Sequence, residues 1–227
     1  YERILSELDV SKGARLLEIG CGWGGFAELA TRQGMQLTGL TISTEQLVFA
    51  EQRLHKAGLA GQAELRLQDY RDVSGEFDGI ASIEMFEAVG EQYWDSYFST
   101  VAQRLKRGAR ACIQTITIDD SLFERYRKGS DFIQQFIFPG GMLPSPRVFQ
   151  ARAEQHGLEV VDAFAFGIDY ARTLAEWHQA FNKVLPQVRE QGFDDRFIRT
   201  WQFYLAYCEA GFRARNIDLY QFTLRKP

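Results

Sequence analysis

"LLEIGCGWGG", Leu16 to Gly25, decides how this chain is read. An apolar run ends in an acid, Glu18, and Gly20–Gly25 then holds four glycines in six residues. Glycine allows a tight turn and a close approach of ligand to backbone. A phosphate loop of the Walker type needs a Gly-Lys-Ser/Thr ending, and none follows. A dinucleotide site asks for an acid at the end of the next strand to hold a ribose hydroxyl, whereas that position falls near Thr41 in "GLTIS". The acid before the glycines faces the other way chemically. It receives a cationic amino group and repels an anion.

Around this stretch, β-rich runs alternate with helical patterns. "ARLLEIG", "QLTGLTI", "AELRLQ", "FDGIASI" and "ARACIQTITI" read as strands. "GFAELATRQG", ended at Gly34, "STEQLVFAEQRLHKAG", capped by Ser43 or Thr44 and stopped at Gly58, and "YWDSYFSTVAQRLKRG" read as helices. This rhythm implies an α/β fold with a mostly parallel sheet. Ligands of such sheets sit beyond the carboxyl ends of the strands, here Glu18–Gly22, Thr41, Gln68–Tyr70, Ile83–Glu87 and Gln114–Ile116. Past Ile118 the rhythm breaks into an aromatic, partly helical excursion. "LEVVDAFAF" and "IDLYQFTLR" read as a closing antiparallel pair, separated by helix from about Leu174 to Phe212. Residues 1–227 are taken as one catalytic domain in which 119–146 and 170–215 form lid insertions.

With 227 residues, 45% of them hydrophobic, one compact domain buries a sizeable core. A formal charge of −4 argues against nucleic acid as the main partner. Cys21, Cys112 and Cys208 have neither disulfide nor zinc spacing and read as buried apolar thiols in a reducing cytoplasm. No apolar run approaches the roughly 20 residues that span a bilayer. His55, His156 and His178 form no metal pair and read as structural or solvated.

"LQDYRD" places Asp69, Tyr70 and Arg71 at the third strand's end, suited to an adenine contact. Together with Glu18 this set fits S-adenosylmethionine, which has an ammonium, a sulfonium, a ribose and an adenine but no phosphate. Helix capping is the competing role for Glu18 and Asp69.

Six strings in one order, "LEIGCGWGG", "GLTISTEQ", "LQDYRD", "FEAVG", "FIFPGGMLPS" and "GFRARNIDLYQFTL", resemble the cyclopropane-fatty-acyl-phospholipid synthases and mycolic acid cyclopropane synthases from about Leu16 to Leu224. The resemblance implies a class I S-adenosylmethionine-dependent methyltransferase fold. Its sheet is Rossmann-like, mostly parallel and seven-stranded, with a C-terminal antiparallel hairpin and a helical lid. It implies transfer of a methylene from S-adenosylmethionine to a cis double bond in an unsaturated phospholipid acyl chain. Cofactor contacts fall on Gly20, Gly22, Thr41, Gln46, Tyr70, Arg71 and Ile83. A bound bicarbonate is also implied, with Glu87, Gln114, Ile116 and Tyr170 at the matching positions. The enzyme is then cytoplasmic, peripheral at the inner membrane face, and compatible with a homodimer.

The chemistry accounts for the residue types. An alkene is a feeble nucleophile, and its attack on a sulfonium methyl leaves a cation on the acyl chain that must lose a proton to close a ring. A held base is typically worth about 10²–10⁴ in rate. Tyr170, Phe138 and Phe166 are candidates for stabilising the cation with their ring faces. Many members of the family have His where this chain has Gln114, "FEHVG" where it has "FEAVG", and glycine at Glu84. Loss of a different proton would give a methyl- or methylene-branched chain. A methyltransferase for a soluble small molecule and a non-catalytic cofactor-binding domain are the other readings. The family also carries contacts on a segment before the first strand. This chain begins too late to contain it, so these residues alone are expected to bind cofactor weakly.

Overall fold

A computed structural model describes residues 1–227. The chain opens with α1 (Glu2–Glu7) and then runs β1 (Arg15–Ile19), α2 (Gly25–Arg32), β2 (Gln36–Thr41), α3 (Thr44–Lys56), β3 (Ala63–Leu67), β4 (Phe77–Ile83), α4 (Trp94–Arg104) and β5 (Leu105–Ile118). Next come α5 (Asp120–Tyr126), α6 (Phe132–Phe136), α7 (Pro146–Gln155) and β6 (Glu159–Ala165). The last elements are α8 (Gly167–Lys183), α9 (Leu185–Glu190), α10 (Asp195–Arg213) and β7 (Ile217–Arg225).

Seven strands form one sheet in the order β3-β2-β1-β4-β5-β7-β6. The pairs β1–β2, β2–β3, β1–β4 and β4–β5 are parallel, and β7 is antiparallel. Strand order reverses between β1 and β4, and the crevice at such a switch point is where open α/β sheets bind ligands. The five strands and three helices expected in the first half are all present. Ser43, not Thr44, caps α3, its hydroxyl accepting the Gln46 N–H. The helix expected over "YWDSYFSTVAQRLKRG" stops at Arg104, and Leu105 already belongs to β5, where it pairs with Phe77 across a bulge. Leu105 is fully buried and satisfies the helical period and the strand equally well. α1 has no counterpart in the sequence reading; it sends Ile4, Leu5 and the following Leu8 into the core.

The chain divides into two compact units, Tyr1–Thr115 with Arg147–Phe164 and Gln221–Pro227, and Ile116–Pro146 with Ala165–Tyr220. The segments of the second unit start at Ile116 and Ala165. Its helical stretch is three helices, the first starting at Gly167. In the first unit Leu16, Phe26, Ala27, Leu37, Leu54 and Ala81 share one cluster with α1. Phe86 packs a second, aromatic one with Trp94, Tyr97, Phe98 and Phe149 at ring separations of 4.9–5.5 Å.

The second unit is built on α8 and α10 around Ala171, Leu174, Leu205, Phe212 and Leu219. α8 begins against Asp218, whose Oδ1 accepts the N–H groups of Gly167 and Leu219, both at 2.8 Å. A Cβ on Gly167 would run into that carboxylate and lie 2.9 Å from Phe212 Cδ1. Helix propensity alone would favour alanine here by about 1 kcal/mol. Overpacking reverses the sign, so Gly167→Ala should cost about 1–3 kcal/mol in urea denaturation. A stabilised variant would refute the contact.

Candidate functional site

Glu18 lies near the end of β1 with small neighbours on both sides, Gly39 of β2 and Ala81 of β4. Neither side chain offers it a hydrogen bond. The residue is 2% exposed, and its Oε2 is buried with no partner. Burial pushes its pKa well above the ordinary carboxylate range. Burying an ionised group without a counter-charge is expensive, so this carboxyl ionises readily only where a cation or a donor offsets its charge. The neighbouring Cys21 thiol is pushed up to about 12, by burial first and by Glu18 second.

The loop after Glu18 is pinned to β2 by Cys21 N–H donating to the Leu40 carbonyl at 2.7 Å. Gly20 takes φ +81°, and a Cβ there would lie 2.8 Å from Met85 Cγ. Gly22 takes φ +49°, and a Cβ there would meet nothing within 4 Å, which leaves room above the backbone. Gly25 lies under the Tyr1 ring, which also meets Phe26 edge-on at 6.2 Å.

At the end of β2, Thr41 Oγ1 donates to Gln46 Oε1 at 2.9 Å and accepts the Ser43 N–H at 3.1 Å. The two candidates are thus tied to each other. Asp69 accepts the Arg71 backbone N–H at 2.9 Å and pairs with Arg71 Nε and Nη2 at 3.0 and 2.8 Å. These bonds to Arg71 hold its carboxyl below the usual range. Its capping role is therefore real, and Arg71 also lies over the Tyr93 ring at 5.5 Å. Tyr70 packs edge-on against buried Tyr97 at 5.6 Å.

β4 ends at Ile83, which stands opposite Gln114 of β5. The next residue, Glu84, is exposed and has φ +52°, a left-handed conformation rare outside glycine. It is a turn residue and not part of a helix. Its backbone N–H donates to the Gln114 carbonyl at 2.8 Å, and its Oε1 accepts from Gln114 Nε2 at 2.7 Å. Two positions that sequence reading marks separately as unusual thus touch. Glu87 follows in a short turn, Phe86–Ala88, anchored by the Phe86 cluster. Sequence reasoning missed Gln221 of β7, whose Nε2 donates to Gln114 Oε1 at 3.0 Å.

In the second unit, Ile116 and Tyr170 border the same apolar cluster, together with Phe166. The Tyr170 ring meets Phe212 at 5.3 Å and Trp177 at 6.0 Å, both edge-on. Phe138 is 54% exposed and 6.3 Å from Tyr204. The aromatic run of α10 splits by face. Trp201 and Tyr204 pack inward, while Phe203 and Tyr207 form an exposed group with Phe132.

The family model of mycolic acid cyclopropane synthetase matches residues 1–222. The chain belongs to this family. It is 41% identical to the tuberculostearic acid methyltransferase UfaA1 of Mycobacterium tuberculosis over 98% of this chain and 52% of that protein. It is 37% identical to the cyclopropane-fatty-acyl-phospholipid synthase of Escherichia coli K12, over 98% and 56%. The chain thus spans about half the length of the curated relatives it matches. Among solved structures, mycolic acid cyclopropane synthase CmaA1 complexed with SAH and CTAB is 28% identical and covers 99% of this chain and 82% of that one, with a TM-score of 0.90. The fold is that of class I S-adenosylmethionine-dependent methyltransferases. No helix is long and apolar enough to cross a membrane.

Glu18 gives a prediction for this family member that needs no ligand. Its pKa is higher folded than unfolded, so between those two values the native state holds a proton that the unfolded chain releases. Stability therefore falls as pH rises from the ordinary carboxylate range to the raised value, and is level above it. Glu18→Gln should abolish that decline and melt no lower than the wild type at neutral pH. Thermal melts from acid to neutral pH check this, and a retained decline would contradict the burial of the charge.

Proposed function

We propose that this chain is the catalytic part of a fatty-acyl methyltransferase that uses S-adenosylmethionine on the cis double bond of an unsaturated phospholipid chain and closes a cyclopropane ring. The observation that carries the cofactor reading is Glu18, a sealed carboxyl oxygen without a partner, next to a glycine loop with open space at Gly22. Family membership carries the lipid reading. These residues would hold the cofactor, with Glu18 toward the ammonium, the Gly20–Gly22 backbone toward the amino-acid portion, Thr41 and Gln46 toward the ribose, and Tyr70, Arg71 and Ile83 toward the adenine side. Asp69 acts by holding Arg71. When bound, the cofactor supplies an electrophilic methyl group on a sulfonium.

Methyl transfer to an alkene places positive charge on the acyl chain, and the product depends on which proton leaves. The resemblance adds a bicarbonate ion, which would supply a small base. Glu87, Gln114, the Ile116 backbone and the Tyr170 hydroxyl are proposed to orient it. Gln114 fits as a donor, since one Nε2 hydrogen goes to Glu84 and a second is left to give. The Tyr170 ring offers a π face to the cation, an interaction of about 0.5–2 kcal/mol. Lipid substrates imply peripheral membrane contact.

A second reading, an enzyme that ends at a methyl- or methylene-branched chain, is favoured by the relative described as a tuberculostearic acid methyltransferase. Both are tested by expressing the native gene in a host rich in monounsaturated phospholipids. Modified chains should gain the mass of one methylene, and NMR separates ring from branch. Unaltered lipids would overturn both readings. Glu87→Gln and Tyr170→Phe should each lower turnover by about 10²-fold or more, as expected for lost general-base help, with cofactor affinity nearly unchanged. Glu18→Gln should do the reverse, weakening cofactor binding about tenfold or more, since the amide oxygen can still accept from the ammonium but no longer carries the opposing charge.

A further inference from the structure

Four side chains of the first unit form a hydrogen-bonded line. Arg3 of α1 donates through Nη1 to Gln221 Oε1 at 3.4 Å, Gln221 Nε2 to Gln114 Oε1 at 3.0 Å, and Gln114 Nε2 to Glu84 Oε1 at 2.7 Å. Both glutamines are buried, at 5% and 9% exposure, whereas Glu84 is exposed. Arg3 is held in turn by Asp162 of β6 at 2.7 Å and Glu7 at 3.4 Å.

A carboxamide is nearly symmetric in shape but not in chemistry, with a donor at one end and an acceptor at the other. A lone buried glutamine can therefore turn end for end at little steric cost. Here both ends of the line are fixed by charge. A guanidinium only donates, so Gln221 must show it oxygen and turn its NH₂ toward Gln114. A carboxylate only accepts, so Gln114 must show Glu84 its NH₂. The two requirements agree, and every bond in the line points the same way. The Glu84 backbone adds a further tie, since its N–H donates to the Gln114 carbonyl while its φ is left-handed.

We propose that Gln221, anchored by Arg3, is a positioning residue that fixes the direction of the Gln114 carboxamide, with its N–H end at the carboxyl edge of the sheet and its oxygen turned inward. This rests on the reading of Gln114 as a donor at the reaction centre. A reversed amide would offer oxygen to Glu84 and to any anion beside it. The line thus sets the sign of the local dipole, and Gln221 acts on the reaction without touching substrate.

The test is reversal at constant shape. In Gln221→Glu the introduced carboxylate still pairs with Arg3 but accepts from Gln114, whose NH₂ then turns away from Glu84. Turnover on unsaturated phospholipid should drop about tenfold or more, with S-adenosylmethionine affinity within about twofold, the kcat-type loss expected of a transition-state contact. In Gln221→Glu/Glu84→Gln the carboxamide introduced at position 84 can donate to the reversed amide. The double variant should regain the melting temperature of the wild type and keep the low turnover. Recovery of turnover with stability would mean that direction is immaterial, and unchanged turnover in Gln221→Glu would mean the same; either overturns the proposal.

Should the wild-type protein leave lipids unaltered, the reading of Gln114 fails separately, and the line is judged by NMR of the carboxamide protons of Gln114. Their shifts should move in both Gln221→Leu and Glu84→Ala. Shifts that stay put in either variant overturn the line itself.

Discussion

A carboxyl group sealed inside the sheet sets the terms for the rest of the first unit. Glu18 is flanked by Gly39 and Ala81, which leave it room but nothing to bond with. A protein tolerates such a group when stability elsewhere offsets the cost and when something outside can repay it on binding. The loop is fastened to β2 through Cys21 so that its glycines hold their shape. Thr41 fixes Gln46, and Arg71 is fixed by Asp69, so polar groups nearby are preset.

Much of this was legible in sequence because it is local. The alternation of apolar runs and helical periods is set by neighbours within a few residues, and the cap at Ser43 is a contact three residues long. Other features depend on distance along the chain. Gln221 reaches Gln114 across 107 positions and Arg3 across 218, and no periodicity encodes such a meeting. The left-handed backbone at Glu84 was equally hidden, since glutamate gives no sign of that conformation. Its replacement of a common glycine was visible, and the bond to Gln114 supplies a physical reason for it. The boundary at Leu105 was unreadable because a buried leucine suits helix and strand alike.

The candidate residues are divided unevenly between the two units. Glu18, the glycines, Thr41, Gln46, Asp69–Arg71, Ile83, Glu87 and Gln114 belong to the first, Ile116 and Tyr170 to the second. In the first unit, hydrogen bonds and ion pairs specify orientation atom by atom. In the second, Tyr170 and Ile116 border an apolar cluster in which shape matters more than direction.

The cysteines add a consequence for anyone handling the protein. Burial pushes the thiols of Cys21, Cys112 and Cys208 each up to about 12. At neutral pH the reactive thiolate is then only about one part in 10⁵ of each. Cys21 and Cys112 are buried while Cys208 is only half-buried, so an alkylating reagent is expected to reach Cys208 first and to report on the opening of the fold at the other two.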